Sequence, residues 1–340
     1  MTGEKTKEKF QNSKESKFQF FPQNITLKDD AFHGSKALNF TEWWYFDATF
    51  DNGYSIQLSV RVLSVMKRFI FFTFLRLDIY KDRKLQSHKR KIYLKKGFYA
   101  SRDIPLVKIY GKEVLKGHID EKTGDWIYDL SFELDDTSAD LRFIGCTKGY
   151  KGTIGYAKKQ RDITREGKWG VILPRASVKG KIKIKDKEIA VNGTGYHDHN
   201  WDVKGTAALN FGWFWGKTSS KNYTVVWSTI FKTRFLGQPL LVLSKVDDGY
   251  TSFKQENIRF VAEDIRKEDG KPVPHHFVLD AFNENISLHV TMKILGIHRA
   301  RMMGIMNYWR YHAKCTGSIA VDDEEEKIDE VHMIEFLRFG

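Results

Sequence analysis

Hydrophobic positions recur at intervals of two along most of this chain. Ser55-Ile56-Gln57-Leu58-Ser59-Val60-Arg61-Val62 alternates strictly, and the aromatic run Phe40–Phe50 leads into it through Asp51-Asn52-Gly53-Tyr54. A period of two sends successive side chains to opposite faces of a sheet. Asn-Gly between two such runs predicts a two-residue hairpin turn, because both central positions need positive φ. Asp51 then pairs with Tyr54. In that register Trp43, Tyr45, Asp47 and Thr49 share a face with Ile56, Leu58, Val60 and Val62. Glu42, Trp44, Phe46 and Ala48 share the other with Ser55, Gln57, Ser59 and Arg61. This second face mixes large aromatics with a carboxylate, an amide and a guanidinium, and sets Trp44 opposite Arg61. A ligand cavity can use that mixture. So can an outer face on which an arginine lies over a tryptophan.

The same rhythm continues. Lys91–Leu94, Val107–Tyr110, Trp126–Leu134, Asp140–Ile144, Lys179–Ile184 and Glu188–Val191 read as strands, with turn residues such as Thr123-Gly124-Asp125 and Lys185-Asp186-Lys187 between them. Gly149–Lys168, glycine-rich and of mixed charge, reads as a long loop. Strand patterns resume at Ala207–Trp215, Tyr223–Lys232, Leu240–Val246, Ile258–Glu263, His276–Phe282, Ile286–Ile294, Tyr308–Ile319 and Val331–Phe339. Helix signals are weak; short helical pieces are predicted near Arg299–Asn307. The acidic run Asp322–Glu326 reads as a solvated hairpin loop, since it lacks the spacing of a calcium loop. Many short strands with regular turn signals predict an all-β protein of antiparallel sandwiches or barrels.

Its 340 residues suffice for two domains. We divide them into a disordered tail over 1–30, a β-domain over 31–205 and a second over 206–340. Met1–Phe20 is rich in Lys, Glu, Gln and Ser and has no apolar core like that of a signal peptide. Phe69–Leu75 is too short to span a bilayer and reads as a buried strand. Two cysteines, Cys146 and Cys315, exclude a disulfide framework and a four-thiolate zinc site, and point to a reducing, cytoplasmic setting.

The net charge of +13 is unevenly placed: Arg61–Lys116 holds 16 Lys/Arg against 4 Asp/Glu. Solvated hairpins explain it most simply; the sharper reading is a patch for anionic lipid headgroups, and hence peripheral membrane contact, or for an anionic substrate. No basic helix, zinc finger or aromatic single-strand motif accompanies the charge, so nucleic acid is not an expected partner.

Chemistry concentrates in Val191-Asn192-Gly193-Thr194-Gly195-Tyr196-His197-Asp198-His199-Asn200-Trp201-Asp202. Acid, base, hydrogen-bond donor and aromatic surface occupy a few adjacent positions, as an active site needs. Its glycines allow unusual backbone angles or the close approach of another segment. The plainer alternative is that Asp198 and Asn200 cap turns while Tyr196 and Trp201 fill core.

Glu42-Trp43-Trp44-Tyr45-Phe46 and Gly195-Tyr196-His197-Asp198-His199-Asn200-Trp201 together resemble the paired signatures of the AttH/carotenoid hydratase superfamily. That group includes hydroxyneurosporene synthases, kievitone hydratase-like proteins and lipocalin-like Diels–Alderases; tocopherol cyclases are similar. The resemblance runs from about Asn39 to the C-terminus. It implies two lipocalin-like β-barrels or sandwiches packed together, a hydrophobic pocket at or near their junction, and chemistry on carbon–carbon double bonds without metal or cofactor. It further implies Asp198 as the acid, supported by Tyr196 and Trp201. Asp202 replaces the family's usual glycine, and of an upstream His-x-Trp pattern only Trp169 is a candidate.

Hydration or rearrangement of an isolated alkene needs a strong acid, a wall that tolerates a cation, and controlled water. A buried carboxylic acid can stay protonated near neutral pH, and each desolvated aromatic face stabilises a cation by roughly 1–2 kcal/mol. The catalytic set is therefore Asp198, Tyr196 and Trp201. Glu42, Trp43, Trp44, Arg61, His197, His199 and Asn200 are substrate-binding candidates for a hydrophobic isoprenoid or lipid. In a regular strand Trp201 points away from Asp198, so the scheme requires a bend near Asn200.

Metal is a rival reading, since His197 and His199 alternate and could share a face. A third ligand would then come from His275, His276, His289, His298 or His312. The resemblance argues against it, and no metal is expected. There is no Gly-x-Ser-x-Gly elbow for hydrolase chemistry. Two functions compete: a cofactor-free lyase, isomerase or cyclase acting on a C=C bond, and a non-catalytic lipocalin-like carrier of the same kind of molecule.

Overall fold

The computed structural model describes residues 11–12, 20–66, 69–155, 166–204, 212–231, 236–302 and 306–339. In chain order the first strands are β1 (Gln11–Asn12), β2 (Gln23–Asn24), β3 (Phe40–Phe50), β4 (Tyr54–Val65), β5 (Ile70–Lys81), β6 (Lys84–Leu94), β7 (Phe98–Ala100), β8 (Leu106–Ile109) and β9 (Lys112–Ile119). Next come β10 (Trp126–Leu134), β11 (Thr137–Gly145), β12 (Tyr150–Gly155), β13 (Glu166–Ile184), β14 (Lys187–Lys204), β15 (Gly212–Ser219), β16 (Tyr223–Phe231) and β17 (Leu236–Lys245). The last are β18 (Tyr250–Ser252), β19 (Ile258–Glu268), β20 (Lys271–Phe282), β21 (Ile286–Met302), β22 (Met306–Val321) and β23 (Glu324–Phe339).

The chain is all-β, built from two curled antiparallel sheets. One compact unit comprises 21–208 and 244–250; the other comprises 1–20, 209–243 and 251–340. Among the described residues, the first unit carries 13 strands, with a main path β6-β5-β4-β3-β14-β13-β11-β10-β9-β8-β7. Its interior is lined by Phe46, Leu58, Val60, Phe132, Phe143 and their neighbours. The second unit carries 10 strands and has its own aromatic core around Phe214, Trp227, Phe260, Phe277, Trp309 and Phe336. No helix among the described residues is long and apolar enough to cross a membrane.

Several local expectations change. The hairpin at Asn52-Gly53 is one residue longer than predicted: Thr49 pairs with Ser55, and Asp51, Asn52 and Gly53 form the loop. Only Gly53 takes positive φ (79°), and its N–H donates to the Phe50 carbonyl across 3.0 Å. That is a turn closed by a left-handed glycine, whereas a two-residue turn would need Asn52 left-handed too. The slip reverses the faces of β3 relative to β4. Trp44, Phe46 and Ala48 thus join Ile56, Leu58 and Val60 in the core, while Arg61 lies over Trp43 at 5.3 Å.

Arg299–Met302 and Met306–Asn307 are strand, because their backbones continue the β21–β22 ladder. Tyr150–Gly155 and Glu166–Lys168, expected in a loop, pair as β12 and β13; 156–165 lie outside the described residues. The acidic run bends only at Asp322-Asp323, and Glu326 sits in β23, accepting hydrogen bonds from Ser220 and Asn222. Part of the stretch expected as tail, residues 20–30, is ordered. β2 pairs with β12, and Leu27–Asp30 forms a 3-10 turn whose last residue, Asp30, is wholly buried.

Candidate active site

β14 runs between β3 and β13 and presents the central motif on two faces. Two glycines make that neighbourhood possible: a Cβ at Gly193 would stand 2.1 Å from the Thr49 carbonyl oxygen, and one at Gly195 would stand 2.5 Å from the Phe143 ring. Neither could be accommodated without shifting β3 or the core.

On one face Tyr196, Asp198 and Asn200 lie opposite Asp47, Tyr45 and Trp43 of β3. Asp198 is only 6% exposed. Its Oδ2 accepts the Tyr196 hydroxyl at 2.9 Å and the Trp169 indole N–H at 3.1 Å; its Oδ1 meets the Asn200 amide at 3.2 Å. Trp169 comes from β13, where it pairs with Asn200. Burial pushes the Tyr196 phenol well above its ordinary value, and the neighbouring Asp198 adds to this, so the hydroxyl stays protonated as a donor. Arg61 continues the same face beyond Trp43, with Nε donating to Thr41 at 3.0 Å. Burial, then the nearby Arg90, lowers its guanidinium to about 10.

Trp201 does not join this group. The register of β14 shifts between Asn200 and Val203, and Asp202 takes φ 52°. The bend therefore falls just beyond Trp201 and leaves its ring on the far side, stacked on His33 at 4.5 Å and near His199 at 5.2 Å. Trp169 stands beside Asp198 in its place.

The opposite face of β14 points into the first unit's core. His197 stacks on Phe46 at 3.7 Å and His199 on Trp44 at 4.5 Å. His197 donates from Nδ1 to the Tyr45 carbonyl at 3.0 Å, and its Nε2 is 3.0 Å from Asp30 Oδ2. His199 lies between two carboxylates: Nδ1 is 3.1 Å from Asp30 Oδ1, and Nε2 is 3.1 Å from Glu42 Oε1. The backbone N–H groups of His33 and Gly34 each donate to Glu42 at 2.8 Å. Burial opposes charge on Asp30, Glu42 and His199, and the contacts overcome it. Despite burial, His197 and then His199 hold Asp30 down at about 2. The Asp30 and Glu42 contacts likewise raise His199 to about 9. Glu42 falls below its usual range through His199 and His33.

Of the residues singled out in the sequence, Tyr196, Asp198, Asn200, Trp43 and Arg61 share one face. Glu42, Trp44, His197, His199 and Trp201 lie on the other. The slipped hairpin accounts for Glu42 and Trp44, and strand alternation accounts for the histidines. Asp30 and His33 were missed because they fall in or beside the stretch read as a tail. Their Asp-x-x-His spacing beside a Gly was the only local signal.

No family model matches the chain. Among curated proteins it is similar to hydroxyneurosporene dehydrogenase of Chlorobaculum tepidum, 22% identical over 258 residues. That alignment covers 66% of either protein, just under two thirds of the relative's length. Among solved structures, an AttH protein from Nitrosomonas europaea superposes with a TM-score of 0.68 at 14% identity, over 92% of this chain and 96% of that one. The chain shares the fold of that protein, and its two curled sheets are lipocalin-like. CghA, a lipocalin-like Diels–Alderase solved with Sch210972, is more distant, with a TM-score of 0.51 at 10% identity and 88% of both chains covered. These two structural relationships are likenesses of fold.

Proposed function

We propose that this protein is a lyase, of hydratase type, or an isomerase or cyclase, which protonates a C=C bond of a long hydrophobic isoprenoid-like or lipid substrate with Asp198 as the general acid. The observation that carries this reading is the set of contacts around the buried Asp198 carboxyl. Trp169 can only donate, and Tyr196 shares the same oxygen, so Oδ2 is the acceptor. The transferable proton therefore belongs on Oδ1. Turning the Asn200 amide lets its oxygen accept that proton, and turning it back satisfies the carboxylate once the proton has left. Trp169 and Trp43 supply π-faces beside the cation that protonation creates. The relative named for hydroxyneurosporene supports an extended apolar substrate.

An oily substrate of this kind is delivered from a membrane surface. Phe69 is 84% exposed just before β5, and Ile92 and Leu94 are exposed on β6 among Arg90, Lys91, Lys95 and Lys96. Apolar tips within a cationic rim fit an anionic bilayer.

The test is incubation of the full chain with acyclic polyenes, with products read by mass spectrometry. The wild type is expected to yield a product heavier by one water or a rearranged isomer. Asp198→Asn is expected to retain ligand affinity and yield neither. Equal turnover by the variant overturns the assignment of Asp198. Ligand recovered unaltered from the wild type overturns the enzyme and leaves a carrier.

A further inference from the structure

The face of β14 turned away from Asp198 holds a second constellation that the proposed chemistry does not use. A ring nitrogen of His33, a carboxylate oxygen of Glu42 and a ring nitrogen of His199 all lie within 4.8 Å of one another. Glu42 Oε1 is 3.1 Å from His199 Nε2 and 3.5 Å from His33 Nδ1. Ligands bonded tetrahedrally to zinc at about 2.0–2.1 Å stand roughly 3.3 Å from one another. These two separations bracket that value, and the two ring nitrogens lie within 4.8 Å of each other.

Each donor is held in place by something behind it. The two backbone N–H groups of His33 and Gly34 fix the Glu42 carboxylate. Asp30 stands behind His199, with Oδ1 facing Nδ1 at 3.1 Å, and its other oxygen is steadied by His197. A carboxylate behind a ligating imidazole fixes the tautomer that leaves the other nitrogen free for a metal. His33 is held by its parallel stack on Trp201, yet its Nδ1 has no hydrogen-bond partner. With 29% of its side chain exposed, His33 also gives an ion a route in and leaves a coordination position on its side.

Charge points the same way. Asp30 and Glu42 are wholly buried carboxylates that face the His199 ring from either side, and such buried charges need a positive partner to offset several kcal/mol of desolvation per ion. A divalent cation between Glu42 and the two imidazoles supplies two positive charges. His199 then binds as the neutral ring, keeps Nδ1–H toward Asp30, and gives up its Nε2 proton to solvent. Two imidazoles and one carboxylate suit zinc and its neighbours in the first transition row, while calcium and magnesium favour oxygen donors throughout.

We propose that His33 Nδ1, Glu42 Oε1 and His199 Nε2 bind a zinc-class divalent metal ion inside the first unit. This metal fastens the segment 26–42 to β14, on the opposite face from Asp198. Two of the three ligands thus come from the N-terminal segment and from β3. The histidines of the second half take no part.

The test uses the full chain expressed with zinc, dialysed, and assayed for metal by elemental mass spectrometry. Stoichiometric zinc is expected, with a higher melting temperature than after chelation. Cobalt(II) added to chelated protein should give the visible absorption of a tetrahedral site. His33→Ala, a change at a partly exposed ring, should keep the circular dichroism spectrum and lose at least tenfold in metal affinity, as should Glu42→Gln. Asp198→Asn should keep the metal. Wild-type protein without bound metal and with the same melting temperature in zinc and in chelator overturns the site. So does His33→Ala protein that retains metal like the wild type.

Discussion

Trp169 of β13 donates its indole N–H to Oδ2 of Asp198 on β14, across 3.1 Å and 29 residues of sequence. With Tyr196 on the same oxygen, this contact favours the carboxylate and leaves Oδ1 as the proton-bearing atom. A donor that stabilises the conjugate base makes the acid stronger, as protonation of an alkene requires. Trp169 is therefore a positioning residue in this scheme as well as a wall.

Replacing Trp169 by phenylalanine keeps an aromatic ring and removes the donor. A hydrogen bond to a charged group is worth about 1.5–3 kcal/mol, so kcat is expected to fall roughly 10- to 100-fold with KM little changed. Loss of the donor raises the Asp198 pKa, so the decline of kcat with rising pH should move to higher pH. A pH profile that stays in place while the rate falls would assign Trp169 to packing alone.

Gly193 is close to the β3 backbone, not to a side chain that could turn aside. Gly193→Ala is expected to destabilise the first unit by about 1–3 kcal/mol through overpacking. Thermal or denaturant unfolding followed by tryptophan fluorescence reads the loss. An unchanged transition midpoint would mean that β3 and β14 can separate there at little cost.

Asp29 secures the turn that carries Asp30. It accepts the backbone N–H and hydroxyl of Thr26 at 2.8 Å each and the Lys151 ammonium at 2.6 Å. Burial pushes its pKa up, but Lys151 and then Thr26 outweigh this and bring it below the ordinary carboxylate value. A lowered folded-state pKa contributes stability above the unfolded value of about 4, and that contribution is lost as pH falls through the folded one. Asp29→Asn is therefore expected to be less stable than wild type at neutral pH and equally stable in strong acid. Denaturation at several pH values checks this; parallel curves at every pH would exclude the ion pair as the cause.

If the β5–β6 end meets membranes, the full chain should co-sediment with vesicles rich in anionic lipid and much less with neutral ones. Binding should weaken as salt shortens the Debye length from about 10 Å toward 3 Å. Phe69→Ser combined with Leu94→Ser should reduce binding while leaving the circular dichroism spectrum unchanged. Equal sedimentation of the double variant would show that these exposed apolar groups are not the contact.

Much of the layout of the candidate site was legible because its signals are local. Tyr196, Asp198 and Asn200 at alternate positions had to share a face if β14 was a strand. His197 and His199 had to share the other. The Asn52-Gly53 turn was visible, but its length was not: a single positive φ at Gly53, in place of two, moved Trp44 into the core and brought Arg61 to Trp43. The place of Trp201 depended on whether the bend came before or after it, and the strained position is Asp202.

Alternation, turn residues and the two aromatic motifs were enough to establish an all-β chain and to mark its chemically dense strand, since a period of two is written in neighbouring residues. Which strands flank that strand depends on pairing between distant segments. Only the tertiary structure brought Trp169 to Asp198, and Asp30, His33 and Glu42 to His199. Such contacts are set by register, and a one-residue change in a turn moves every side chain on a strand to the other face.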